Sequence, residues 1–161
     1  MTLKRDQVMA GLYFEQFFVG QSFDHPWTRT ITEMDNVMYC ALTMNVAPIH
    51  LDEHYCAGTE FGRRMVASLY TAGLMIGQSI NDTTLGTTVA NLGMSDMRFP
   101  KPVFHGDTIR SRTTVRSVRD SKSRPDAGLV EFEHVAINQH GDIVASCLRT
   151  ALMHRKPVQG G

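Results

Sequence analysis

The sequence predicts an α+β fold in which an antiparallel sheet wraps around one long apolar helix. Two observations carry this expectation. The segment from Met65 to about Asn81 is apolar around most of a helical circumference, through Val66, Leu69, Leu74, Met75, Ile76 and Ile80. After Gly86, four segments rich in β-branched residues follow one another, at 88–99, 107–119, 128–138 and 142–153. Turn signals separate them: Pro100–Pro102 with Gly106–Asp107, then Ser123–Gly128, then His140–Gly141. Strands in direct succession favour antiparallel pairing over the alternation of a doubly wound sheet.

The remaining elements read in order. Residues 22–31 form a first strand, and Pro26 inside it points to a sheet edge. Thr32 is placed as a helix N-cap, with Glu33 and Asp35 in the first turn. Met34, Val37, Met38, Ala41 and Leu42 then recur at helical spacing and predict an amphipathic helix with that stripe inward. The loop Asn45–His50 follows, and Asp52 caps a short helix through Cys56. The long helix carries Gly73 and Gly77, each costing about 1 kcal/mol relative to alanine, so close approach of the sheet is expected there. Residues 1–10 and 156–161 read as peripheral.

Composition narrows the function classes. A chain of 161 residues fits one domain with a real core, and 16 acidic against 16 basic residues leave a formal net charge of 0. That balance favours neither nucleic acid nor an anionic membrane, and it makes self-association less costly. Cys40, Cys56 and Cys147 lack the short spacing of a metal or redox motif and read as reduced thiols of a cytoplasmic protein. No apolar run marks a signal peptide or a bilayer span. No metal and no cofactor is expected.

The stretch Asn45-Val46-Ala47-Pro48-Ile49-His50-Leu51-Asp52 resembles the signature Asp-x-Asn-Pro-Ile/Leu-His-x-Asp of the MaoC-like enoyl-CoA hydratases. Tyr55, the run Ala57 to Gly62, Met65–Ser68 and Arg98–Asp107 resemble further family segments, so the likeness spans about residues 12–154 of a single domain, 1–161. The resemblance implies a hot-dog fold, commonly paired into a homodimer or a larger homo-oligomer. It also implies an acyl-CoA substrate, with water added across the double bond next to the thioester. Four positions depart from the family pattern: Asn45 replaces its aspartate, Ala47 its asparagine, and Ala67-Ser68 its common His-Gly. Leu42–Asn45 and Ser121–Pro125 resemble a branch associated with C5 dicarboxylyl substrates such as itaconyl-CoA and mesaconyl-CoA.

Hydration of an enoyl thioester needs a base for water, a proton for the α-carbon, and stabilisation of an enolate-like oxygen. His50 suits the first role, because an ordinary imidazole titrates near neutrality. Asn45 cannot transfer protons but can hold a water; it reads equally well as a helix-terminal residue in left-handed geometry. A single water can supply both hydroxyl and proton through His50. Glu60 is the nearest further acid, or else a solvated loop carboxylate, and Asp52 reads as a cap. Ser68 and the neighbouring amides of Ala67 and Leu69 open the long helix and form the candidate oxyanion site. Arg124, Arg98 and Arg63 are the candidates for CoA phosphates or a substrate carboxylate, with Arg124 foremost; Arg64, Arg119 and Lys122 are weaker, and Arg110, Arg112 and Arg116 alternate toward water. The competing functions are an acyl-CoA thioesterase and a silent acyl-CoA-binding protein. Loss of the motif acid favours the latter, and retention of His50 argues against it.

Overall fold

A computed structural model describes residues 11–157; the expectations for residues 1–10 and 158–161 lie outside the described residues. The order is β1 (Ser22–Asp24), β2 (Arg29–Thr30), α1 (Glu33–Thr43), α2 (Pro48–Leu51), α3 (Glu53–Ala57), α4 (Ser68–Thr83), β3 (Thr88–Arg98), β4 (Thr108–Asp120), β5 (Ala127–Ile137) and β6 (Ile143–His154). The sheet runs β1-β4-β5-β6-β3, with β2 also on β4, and every pair is antiparallel. Helix α4 lies across β4, β5 and β6. This is the hot-dog arrangement. Among the described residues, no helix is long and apolar enough to cross a membrane.

The first strand divides in two at Pro26, whose missing amide cannot serve a ladder. Thr32 caps α1 as expected: its hydroxyl accepts from the Asp35 amide, and Asp35 Oδ2 accepts from the Thr32 amide at 2.8 Å. Asp52 caps α3 through the Tyr55 amide at 2.9 Å.

Two expectations about helix faces are corrected. The α1 stripe of Met34, Val37, Met38, Ala41 and Leu42 lies outward, with Leu42 80% exposed, and the face turned inward carries Asn36 and Cys40. Helix α4 starts at Ser68, because Met65 and Val66 are extended and bonded to the Val103–Phe104 segment. Gly73 and Gly77 are exposed, with open space where a Cβ would stand. The face against the sheet is Thr71, Ala72, Met75, Gln78, Ser79 and Thr83. Periodicity identifies a helix and its apolar sectors, but not which sector a distant strand covers.

One core cluster gathers Met75 with Val66, Val103, Ile109, Ala136, Val144 and Cys147 at the end of the sheet nearest the start of α4. A second gathers Phe14, Phe17, Val115, Val130, Phe132 and Met153 toward the other end. There a Cβ on Gly128 would come within 2.2–2.4 Å of three Phe14 ring carbons, so any larger residue must displace that ring. Strand β3 forms one edge of the sheet, and residues 91–96 along it are exposed.

Candidate active site

His50 stands on the one-turn helix α2, which Pro48 opens at its first position, where a missing amide costs nothing. Two backbone bonds lock this turn to the approach of α4. The Met65 amide donates to the Ile49 carbonyl at 3.0 Å, and His50 Nδ1 meets the Met65 carbonyl at 2.9 Å. Cys56 reinforces it from α3, its thiol donating to the Ile49 carbonyl at 3.4 Å. A carbonyl only accepts, so Nδ1 of His50 carries a proton. The neutral imidazole therefore keeps its lone pair on Nε2, the tautomer a general base requires.

Asn36, fully buried on α1, organises the same region. Its Oδ1 accepts from the Ala67 amide at 2.9 Å. Its Nδ2 lies 3.2 Å from the carbonyls of both His50 and Met65, and 3.1 Å from His105 Nε2. Burial, and after it the Arg64 charge, pushes His105 below the ordinary histidine range, which suits Nε2 as an acceptor. Sequence reasoning did not find Asn36. The available signal was a polar residue four before Cys40, on the helix face opposite the apolar stripe.

Asn45 follows Met44, and Met44, not Asn45, takes the left-handed conformation at φ 58° and ψ 29°. The Asn45 amide returns to the Cys40 carbonyl at 2.9 Å, and its Oδ1 accepts from the Ala47 amide at 3.2 Å. One lone pair on Oδ1 and the whole Nδ2 group remain available. At the start of α4, the Ala67 amide is committed to Asn36. The Ser68 and Leu69 amides are at the first two helical positions, where no intrahelical acceptor exists, and both residues are exposed. A cavity of about 190 Å³ adjoins this turn, walled by Ser68, Thr71, Phe99, Val103 and Val144. Met65 joins the two features, lining the cavity and holding His50 with its carbonyl. Thr71 Oγ1 is buried there without a hydrogen-bond partner.

The arginines separate clearly. Arg63 stacks on Phe104, 3.8 Å from the ring centroid, and Phe104 is bridged to Met65, so this cation borders the site. Arg98 ends β3 one residue before Phe99 in the cavity wall, and faces a groove with Asp96 and Glu133. Arg124 does not join the site of its own chain. It is bidentate to Asp126, at 2.9 and 2.6 Å, on the exposed turn after β4. The 13 residues of β4 separate that turn from the Met65–Phe104 end, roughly 40 Å of strand. Arg64 braces the site instead, joining Glu33 of α1 at 2.7 Å and Glu53 of α3 at 2.6 Å. Glu60 is exposed beyond α3.

Comparison with known proteins agrees with this fold. The family described as MaoC like domain matches residues 15–136. A mesaconyl-CoA hydratase from Cereibacter sphaeroides is 29% identical over 147 residues, which is 91% of this chain and 42% of that protein. A 3-hydroxybutyryl-CoA dehydratase from Methylorubrum extorquens is 32% identical over 117 residues, 70% of this chain and 69% of that one. The solved structure of a monoamine oxidase regulatory protein from Archaeoglobus fulgius superposes with a TM-score of 0.83 at 28% identity, covering 93% of this chain and 100% of that one. The chain spans about two fifths of the length of the first curated relatives it matches, 42% and 41%. A family match over most of the chain, on the fold that carries His50 to the start of α4, means that the protein belongs to the MaoC like domain family.

Proposed function

We propose that this single hot-dog domain is a hydro-lyase that adds water to, and removes it from, α,β-unsaturated acyl-CoA thioesters. The observation that carries the reading is the tautomer of His50: Nδ1–H is given to the Met65 carbonyl, and Nε2 is left as a base on a residue tied to the segment that leads into the open amides of Ser68 and Leu69. In hydration, a water held by Asn45 gives a proton to His50 Nε2 as its oxygen bonds to the β-carbon. The electron pair of the double bond moves to the thioester oxygen, which the Ser68 and Leu69 amides and the positive end of α4 stabilise. His50 Nε2–H then returns its proton to the α-carbon. One water thus supplies both groups, and no second acid is needed. We assign Arg63 and Arg98 to anionic parts of the CoA moiety, supported by the stacking of Arg63 on Phe104 and the position of Arg98 at the end of β3.

The acyl group we assign is a branched C5 dicarboxylyl chain of the mesaconyl or itaconyl kind. Support comes from the mesaconyl-CoA hydratase relative and from the Leu42–Asn45 stretch. We further assign a homodimer, supported by the exposed edge β3 and the outward apolar stripe of α1. Its location is the cytoplasm, supported by three free, buried cysteines.

Crotonyl-, mesaconyl- and itaconyl-CoA test the activity. Loss of the unsaturated-thioester absorbance without free thiol is expected. Free thiol would instead mark a thioesterase, and binding without turnover a binding protein. His50→Ala should lose about 10²–10⁴-fold in rate, and Asn45→Ala less. His50→Ala activity within a few-fold of wild type, in a folded protein, would refute the mechanism. A stable monomer in sedimentation at micromolar concentration would overturn the dimer.

A further inference from the structure

Beneath α4, the inward face of the sheet carries an unusual polar group. Arg149 on β6 is 96% buried, since only 4% of its surface is exposed, yet Nε and Nη2 of its guanidinium have no hydrogen-bond partner. It forms no ion pair among the described residues; its guanidinium carbon lies over the Phe132 ring, 5.3 Å from the centroid. His134 on β5 is fully buried, and its Nε2 is likewise unpartnered. The register pairs His134 with Cys147 and Phe132 with Arg149, so the two side chains sit diagonally on one face, about 7–8 Å apart at Cα. Three of the buried unpartnered atoms in the described chain are therefore nitrogens of one small cluster. Burying a guanidinium without a counter-charge is strongly unfavourable, and an anion seated there relieves it.

The cluster lies on strands that run on from the candidate active site. Phe99, just after β3, and Val144 on β6 wall the cavity beside Ser68. From there β3 and β6 run side by side, Arg98 opposite Ser146 and Met94 opposite Arg149. Three residues separate Ser146 from Arg149, about 10 Å of strand, which a short acyl chain and an arginine side chain span together. Helix α4 covers β4, β5 and β6, whereas Met94, opposite Arg149 on β3, stays exposed.

We propose that Arg149, with His134 beside it, binds the distal carboxylate of the substrate's acyl chain. The inference rests on the acyl-CoA hydratase reading above, and it takes the place first expected for Arg124. The bond network behind His134 allows it. His25 Nδ1 donates to Asp82 at 2.9 Å, His25 Nε2 meets the Thr113 hydroxyl at 2.7 Å, and that hydroxyl meets His134 Nδ1 at 2.8 Å. When His25 holds both protons, balanced by Asp82, it donates to Thr113, and Thr113 donates to His134 Nδ1. His134 Nε2 then carries the N–H that a carboxylate accepts. In the reverse order Nε2 is a lone pair, and Arg149 supplies the only donors.

The test is the ratio of kcat/KM for mesaconyl-CoA over crotonyl-CoA, which differ by that carboxylate and by one methyl branch, read in each variant against wild type. Arg149→Met keeps the bulk and should lower the ratio by about 100-fold, the scale of losing one partner of a buried charge pair. Its melting temperature should equal or exceed that of wild type, because the unpaired cation is gone. Arg149→Lys, which keeps the charge on a single-point donor, serves if the methionine variant does not fold; it should lower the ratio about tenfold. A ratio unchanged within about threefold, in either folded variant, overturns the proposal and leaves the hydratase reading intact. If wild type turns over neither thioester, the hydratase reading fails, and calorimetric binding of the same two thioesters decides. Tighter mesaconyl-CoA binding that disappears in Arg149→Met sustains the carboxylate site, and equal binding rejects it.

Discussion

Replacing Asn36 with alanine tests how the catalytic end is held together. The amide of Asn36 satisfies the Ala67 N–H and the His50 carbonyl, and it shares its second proton between the Met65 carbonyl and His105. Met65 retains His50 Nδ1 as a partner after the change, so it is spared. The Ala67 amide and the His50 carbonyl are not. Each buried unsatisfied group costs about 1–3 kcal/mol, so Asn36→Ala should destabilise by about 2–6 kcal/mol. Against a typical total of about 5–15 kcal/mol that is a large fraction. Urea unfolding followed by circular dichroism measures it, with an unchanged slope showing that the same surface is exposed. Because the substitution frees the strand that carries Met65, kcat should fall more than KM rises. Asn36→Asp keeps the acceptor for Ala67 but sets a carboxylate against two carbonyl oxygens, and should be no better than alanine. A loss below about 1 kcal/mol with kcat intact would refute the role given to this residue.

Two further outcomes follow from the core. Gly128→Ala drives a methyl into the buried Phe14 ring and should cost about 1–3 kcal/mol; Phe14→Leu in the same chain should recover part of it, read by thermal unfolding. Burial, then the charges of Arg149 and His25, lowers His134 from 6.5 to about 3. The unfolded chain takes up this proton below about pH 6.5 and the folded chain does not, so the stability held by neutral His134 is complete above that pH and drains as pH falls toward 3. The effect is on the order of a few kcal/mol. His134→Gln should flatten that part of the stability–pH curve, and an unchanged slope would show that other groups dominate acid unfolding.

The features legible in the amino-acid order are mostly local or strongly periodic. Thr32 and Asp52 cap their helices because the groups they satisfy lie three residues away. The four late strands pair as their turn signals imply, since each hairpin needs only short connections. His50 was legible through its spacing from Pro48 and Asn45, a motif carried by one loop. What the tertiary structure alone decided depends on partners far along the chain. The apolar stripe of α1 and the glycines of α4 were visible, yet which sector of each helix faces the sheet is a matter of packing, and both turned outward. The proton on His50 Nδ1 is set by a carbonyl 15 residues away, and the role of Asn36 by groups up to 69 residues away. Arg124 and Arg149 are chemically identical in the sequence. One ends on an exposed turn with its own aspartate, and the other lies unpaired beneath a helix, because burial and counter-charge are properties of the folded neighbourhood and not of the residue.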